Sequence, residues 1–154
     1  MFIRTLLFFT GALVAQQSFA GPAVLLQFSN GNQIFGSELV IYSDGSLVHN
    51  ERSCCPPHVD ATPESNLSPT QLQHLEALIL AASSGRIVER AGSLTSEGSQ
   101  SGSLLVYDNG KATVVLEVDR SAAGTPNKDL VNLSSSASEI KTLVETYVKY
   151  PLVP

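Results

Sequence analysis

Cys54-Cys55-Pro56-Pro57-His58 is the densest reactive segment of this chain, with two thiols and an imidazole inside five positions. Soft thiolates and an imidazole suit copper(I) or zinc. A structural zinc centre, however, needs four ligands that converge, and adjacent cysteines are poorly spaced for one tetrahedron. His49 and Asp60 join the set only if the loop folds back. A metal site at Cys54, Cys55 and His58 therefore competes with an oxidised or incidental cysteine pair in a loop. A disulfide between neighbours closes almost no chain and stabilises little, so the fold must stand without a disulfide framework.

Other reactive groups assemble less well. Gly98-Ser99-Gln100-Ser101-Gly102 has the glycine frame of a nucleophile elbow, but Gln100 occupies its centre and no strand-to-helix turn surrounds it. Of the possible bases His49, His58 and His74, the last falls on the polar side of a helix and reads as solvated. Asp44 and Asp108 precede turn glycines, where aspartate bonds its own backbone. Glu117 and Asp119 share a strand face at a spacing that suits either a cation or plain solvent exposure. The chain has no phosphate-cradling loop, dinucleotide fingerprint, zinc-protease helix or calcium loop. The expectation is a protein that is not an enzyme and needs no cofactor.

The elements that must position these groups follow from pattern. Strands are expected at Val24 to Phe28, Glu38 to Tyr42 and Leu47 to Asn50, with turns at Ser29-Asn30-Gly31-Asn32 and Ser43-Asp44-Gly45-Ser46. Residues 51–67 read as a long irregular connection. Ser68, Pro69 and Gln71 spell a capping box, and Leu72, Leu75, Leu78, Ile79 and Ala82 form one helical face that ends at Ser83-Ser84-Gly85. Arg86 to Arg90 reads as a short strand, followed by a Ser/Gly-rich loop over 92–102. Ser103 to Tyr107 and Lys111 to Asp119 flank the hairpin signal Asn109-Gly110. Alternation places Ala112, Val114, Leu116 and Val118 on one face of the returning strand. Residues 120–135 read as a polar connection. Ser136 and Glu139 suggest a second capping box, followed by an apolar stripe of Ile140, Leu143, Val144 and Tyr147 with Pro151 beyond. The expected fold is α+β: an antiparallel sheet of four to six strands with two helices on one face, the order strand, hairpin, helix occurring twice.

Address and charge narrow the function classes. Arg4, the apolar run Thr5 to Ala15 and Ser18-Phe19-Ala20 read as a signal peptide over residues 1–20. Residues 21–154 then make a single domain, secreted or periplasmic, with no membrane span in the mature chain. Losing Arg4 takes the formal net charge from -5 to -6, a balance that disfavours a nucleic-acid partner. Trp is absent and aromatics are 6% of the chain, so a polysaccharide-stacking platform is not expected. Asn66-Leu67-Ser68 and Asn132-Leu133-Ser134 fit the glycosylation sequon, which matters only in a eukaryotic exporter.

Phe28-Ser29-Asn30-Gly31 followed by Phe35-Gly36, the leucine-rich helix Leu72 to Leu80 and the Leu104 to Val118 hairpin together resemble the emfourin-type inhibitors of thermolysin-like metalloproteases. The resemblance lies in element order over Val24 to Tyr150. The chain departs from that family in having a single Gly31 where the early loop carries paired glycines, and in the insertion bearing Cys54 and Cys55. The resemblance implies a protease contact around Ser29, Asn30, Gly31, Phe35 and Gly36. The expected role is thus a non-catalytic binding domain, inhibitor-like, with an extracellular or periplasmic protein such as a peptidase as partner. The alternatives are a copper- or zinc-handling envelope protein, or an envelope domain of structural role.

Overall fold

The structure is a computed structural model that describes residues 21–31, 35–53, 58–61, 65–92, 100–120, 128–149 and Leu152. The elements in chain order are β1 (Val24–Gly31), β2 (Phe35–Tyr42), β3 (Ser46–Ser53), β4 (His58–Ala61), β5 (Ser65–Asn66), α1 (Pro69–Ser83), β6 (Ile87–Ala91), β7 (Gln100–Asp108), β8 (Lys111–Arg120), β9 (Lys128–Asn132) and α2 (Ser135–Glu145). All nine strands belong to one sheet, ordered β4-β3-β2-β1-β7-β8-β9-β6, with β5 paired to β3 off that path. Every pairing is antiparallel. The fold is α+β as expected, but the sheet is larger than four to six strands. The residues read as connections account for the excess: β4 and β5 lie within 51–67, and β9 lies within 120–135. Their sequences, His-Val-Asp-Ala and Lys-Asp-Leu-Val-Asn, carry too few apolar residues to announce strands. Ser29 to Gly31, read as a turn, instead continue β1.

The repeat takes a different form from the one the pattern suggested. The meander β1-β2-β3 precedes α1, and the meander β7-β8-β9 precedes α2, with β1 and β7 meeting at the middle of the sheet. The short strand β6 does not open the second unit; it caps the sheet beyond β9, and Glu89 and Arg90 lie exposed along that edge.

Ladder register explains where the core lies. Leu47, Ile41, Leu26 and Val106 stand side by side on four successive strands, and Leu39, Phe28, Leu104, Leu116 and Val131 form the next row. Leu75, Leu78, Ile79 and Ala82 of α1 and Ala137, Ile140 and Val144 of α2 complete one aliphatic core on that face. The face predicted for the returning strand is corrected by a bulge. Register jumps between Leu104 and Leu105, where Val115 is the extra residue, so Val115, Leu116 and Val118 are buried while Ala112 is exposed. Strict alternation fails at one inserted position.

Helix starts show how closely caps can be read. Ser68 Oγ accepts the Gln71 amide, the Gln71 side chain returns to Ser68 N at 2.9 Å, and Pro69 occupies the first turn. α2 is capped by Ser134 rather than Ser136: Ser134 Oγ accepts from Ala137 N at 3.1 Å. Glu139 is therefore left to reach across to His74 on α1, 2.8 Å away. The tight turn at Asn109-Gly110 forms as expected, both residues having positive φ, 49° and 77°.

Candidate functional site

Two surfaces of the sheet concern function, because the residues singled out by sequence divide between them. The face opposite the helices carries Ser29, Gln27, Glu38, Val40, Val48, Leu105, Val114 and Glu117, by register and alternation. No described element covers it. Val48, Val40, Gln27, Leu105 and Val114 stand in one cross-strand row, two partly exposed aliphatic pairs divided by the exposed Gln27 and bordered by Tyr42 and Tyr107. Tyr107 is held in place by its hydroxyl, which donates to Gln27 Oε1 at 3.1 Å. Beside that row runs another of short and acidic residues, Glu38, Ser29, Ser103 and Glu117.

The five residues of the expected protease contact do not form one loop surface. Phe35 is 39% exposed at the start of β2. Ser29 lies half-buried on the open face, two strands from Asn50 of β3. Gly31 and Gly36 face each other in register beneath the Arg52 side chain. A Cβ on Gly36 would stand 2.5 Å from Arg52 Nε, so glycine there makes room for the guanidinium. Asn30 is 5% exposed and turned to the helix-covered side, opposite Ser37 and Gly102, because it follows Leu26 and Phe28 in alternation. An inward asparagine cannot touch a partner on the open face. Residues 32–34 lie outside the described residues.

For the metal segment, Cys54 and Cys55 lie outside the described residues, and His58 opens β4 opposite Ser53. His49 is buried and committed elsewhere, with Nε2 2.8 Å from Glu51 Oε1. Among the described residues no three His, Cys, Asp or Glu side chains are grouped to hold a metal. Glu117 and Asp119 lie on the open face as expected; Lys128, the register partner of Asp119, bonds Glu89 at 2.8 Å instead.

The structure adds polar residues that pattern reading passed over. On the helix side, at one end of the core, register lines up Glu51, Ser37, Asn30, Gly102, Val118 and Asp129 across six strands. Ser37 is 0% exposed. Glu51 Oε1 also accepts the backbone N–H of Lys149 at 2.9 Å, drawing in the segment after α2. The only available signal was parity: Ser37 and Glu51 occupy the inward positions of their strands, a fact that needs the register to be seen.

Asn132 is the second missed residue. Its amide donates to Ala82 O at 2.9 Å and toward Val114 O at 3.4 Å, while its oxygen accepts from Ser134 N at 3.0 Å. It joins the end of α1, strand β8 and the start of α2. Its sequon is closed in the folded domain, whereas Asn66 is exposed. At the turn between β2 and β3, Asp44 Oδ1 accepts from both the hydroxyl and the amide of Ser46, which holds its carboxyl below the usual aspartate range. Among the described residues no helix is long and apolar enough to cross a membrane. No family model, curated protein or solved structure matches the chain.

Proposed function

We propose that this chain is an exported, non-catalytic binding domain that grips a protein partner with the open face of its sheet. The observation that carries the reading is the pair of aliphatic patches, Val48 with Val40 and Leu105 with Val114, on either side of Gln27, framed by Tyr42 and Tyr107 and left uncovered by any described element. Apolar surface rimmed by polar residues, with tyrosines that keep one polar end, is the usual make-up of an interaction surface. A large sheet backed by two helices is stiff, so presenting this face costs little ordering on association. The acidic border, Glu38 and Glu117, favours a partner that is basic beside an apolar ridge. Export rests on the leader-like residues 1–20. An extracellular or periplasmic peptidase is the first partner to test, on the resemblance to emfourin-type inhibitors, with Phe35 at the rim as an added contact.

The test is binding of the mature chain to thermolysin-like and other exported peptidases, read by calorimetry and by residual peptidase activity. The expected result is a saturable complex that Leu105→Asp weakens by at least about tenfold, with the fold retained by circular dichroism. Absence of any complex, or a complex indifferent to Leu105→Asp and Val40→Asp, would overturn the proposal.

A further inference from the structure

The buried polar row on the helix side is independent of the open face, and its chemistry is one-sided. Ser37 is fully buried on β2 between Asn30 of β1 and Glu51 of β3, all three in register on the same face. Directly paired side chains have Cβ atoms about 4.5–5.5 Å apart, so Ser37 lies within that distance of both Asn30 and Glu51, which flank it from the strands on either side. Ser37 Oγ and Glu51 Oε2 are both buried with no hydrogen-bond partner among the described residues. Buried oxygens in that condition call for a bound species, since leaving them bare is costly. Three described residues that follow α2 pack at the same end. Val148 and Leu152 are buried, Lys149 N–H reaches Glu51 Oε1 over β3, and the Leu152 side chain rests on Gly102 of β7.

We propose that Ser37 and Glu51, with the neighbouring Asn30 amide, hold one hard divalent cation of the calcium class at this end of the core, beside Val148, Lys149 and Leu152. A carboxylate oxygen, a hydroxyl and an amide are acceptors for a cation, and the Glu51 charge repels an anion. Calcium takes oxygen ligands of these kinds in flexible numbers, whereas copper and zinc seek thiolate and imidazole. The His49 imidazole nitrogen near this row is already engaged with Glu51. Binding here ties β1, β2 and β3 to the C-terminal segment, because one Glu51 carboxylate serves both the ion and the Lys149 amide.

The experiment uses the mature chain stripped with a chelator, then titrated with calcium chloride while thermal unfolding and heat of binding are followed. The expected result is a saturable rise in Tm with one ion per chain, reversed by chelator, as linkage requires. Glu51→Gln is expected to bind at least about tenfold more weakly, and Ser37→Ala severalfold more weakly, since affinity in oxygen sites follows ligand charge and number. An unchanged Tm in the wild type at about 10 mM calcium, far above the weakest sites of extracellular modules, overturns the proposal. So does an equal shift in wild type and Glu51→Gln, which would place the ion elsewhere. Should Glu51→Gln fail to fold, Ser37→Ala decides: unaltered calcium affinity in that variant also overturns it. Amide exchange at Lys149 gives a separate readout, expected to slow when calcium is added.

Discussion

The two faces of this sheet use the same strands for opposite purposes. Leu104 and Leu105 are neighbours on β7, yet Leu104 is 1% exposed under the helices while Leu105 is half-buried on the uncovered side. The covered face packs aliphatic strand rows against two helical stripes, with the polar row Glu51, Ser37, Asn30 and Asp129 at one end. The open face mixes aliphatics with serines, glycines and carboxylates, and it keeps those aliphatics partly in water. The difference teaches that hydrophobicity alone does not distinguish core from contact surface here; the helices do, by choosing one side.

The sharpest way to break this comparison is the same truncation on each side. Leu104→Ala is expected to cost about 2–5 kcal/mol, the range for a buried leucine whose cavity cannot collapse. Leu105→Ala is expected to cost less than about half as much, because its side chain already meets solvent. Urea unfolding of both variants checks this, and equal losses would mean that the open face is covered. An intermediate effect is expected at the joint that binds the covered side together. Asn132→Ala removes the bonds to Ala82 O and Ser134 N and strands buried backbone groups, at about 1–3 kcal/mol by the same measurement.

The smallest effect concerns Asp44, at the turn joining β2 and β3. Its pKa is lowered by the Ser46 hydroxyl and amide, so the folded state favours the carboxylate. That contribution is present above the unfolded value and fades as pH falls through the folded one. The stability gap between wild type and Asp44→Asn should therefore be visible at neutral pH and narrow below pH 3.8, as unfolding across a pH series would record.

Where the chain carries its own local chemistry, the fold was legible. The Ser68-Pro69-Gln71 cap and the Asn109-Gly110 turn need no knowledge of distant residues, and both formed as expected. The polar strands β4, β5 and β9 were not legible, because a strand of polar residues is specified by its neighbour's ladder rather than by its own pattern. Ser134 took the cap from Ser136 through Asn132, a partner that helix patterns alone do not reveal. Of the expected contact residues, Phe35 was placed by its own bulk at a strand start. Asn30 was misjudged because its neighbours Ser29 and Gly31 suggested a turn, whereas strand parity sends it inward. Ser37 and Glu51 escaped notice for the same reason: a polar residue gives no sign of facing inward until its register is known.

The strand that ends the sheet carries a consequence for the molecule in a crowded solution. An exposed ladder edge invites another chain to add itself, and repetition of that step makes fibres. Here an incoming strand would meet Glu89, already tied to Lys128, and Arg90 beside it, so docking must strip water from both signs of charge at once. Charge on the rim thus works against open-ended growth through this edge.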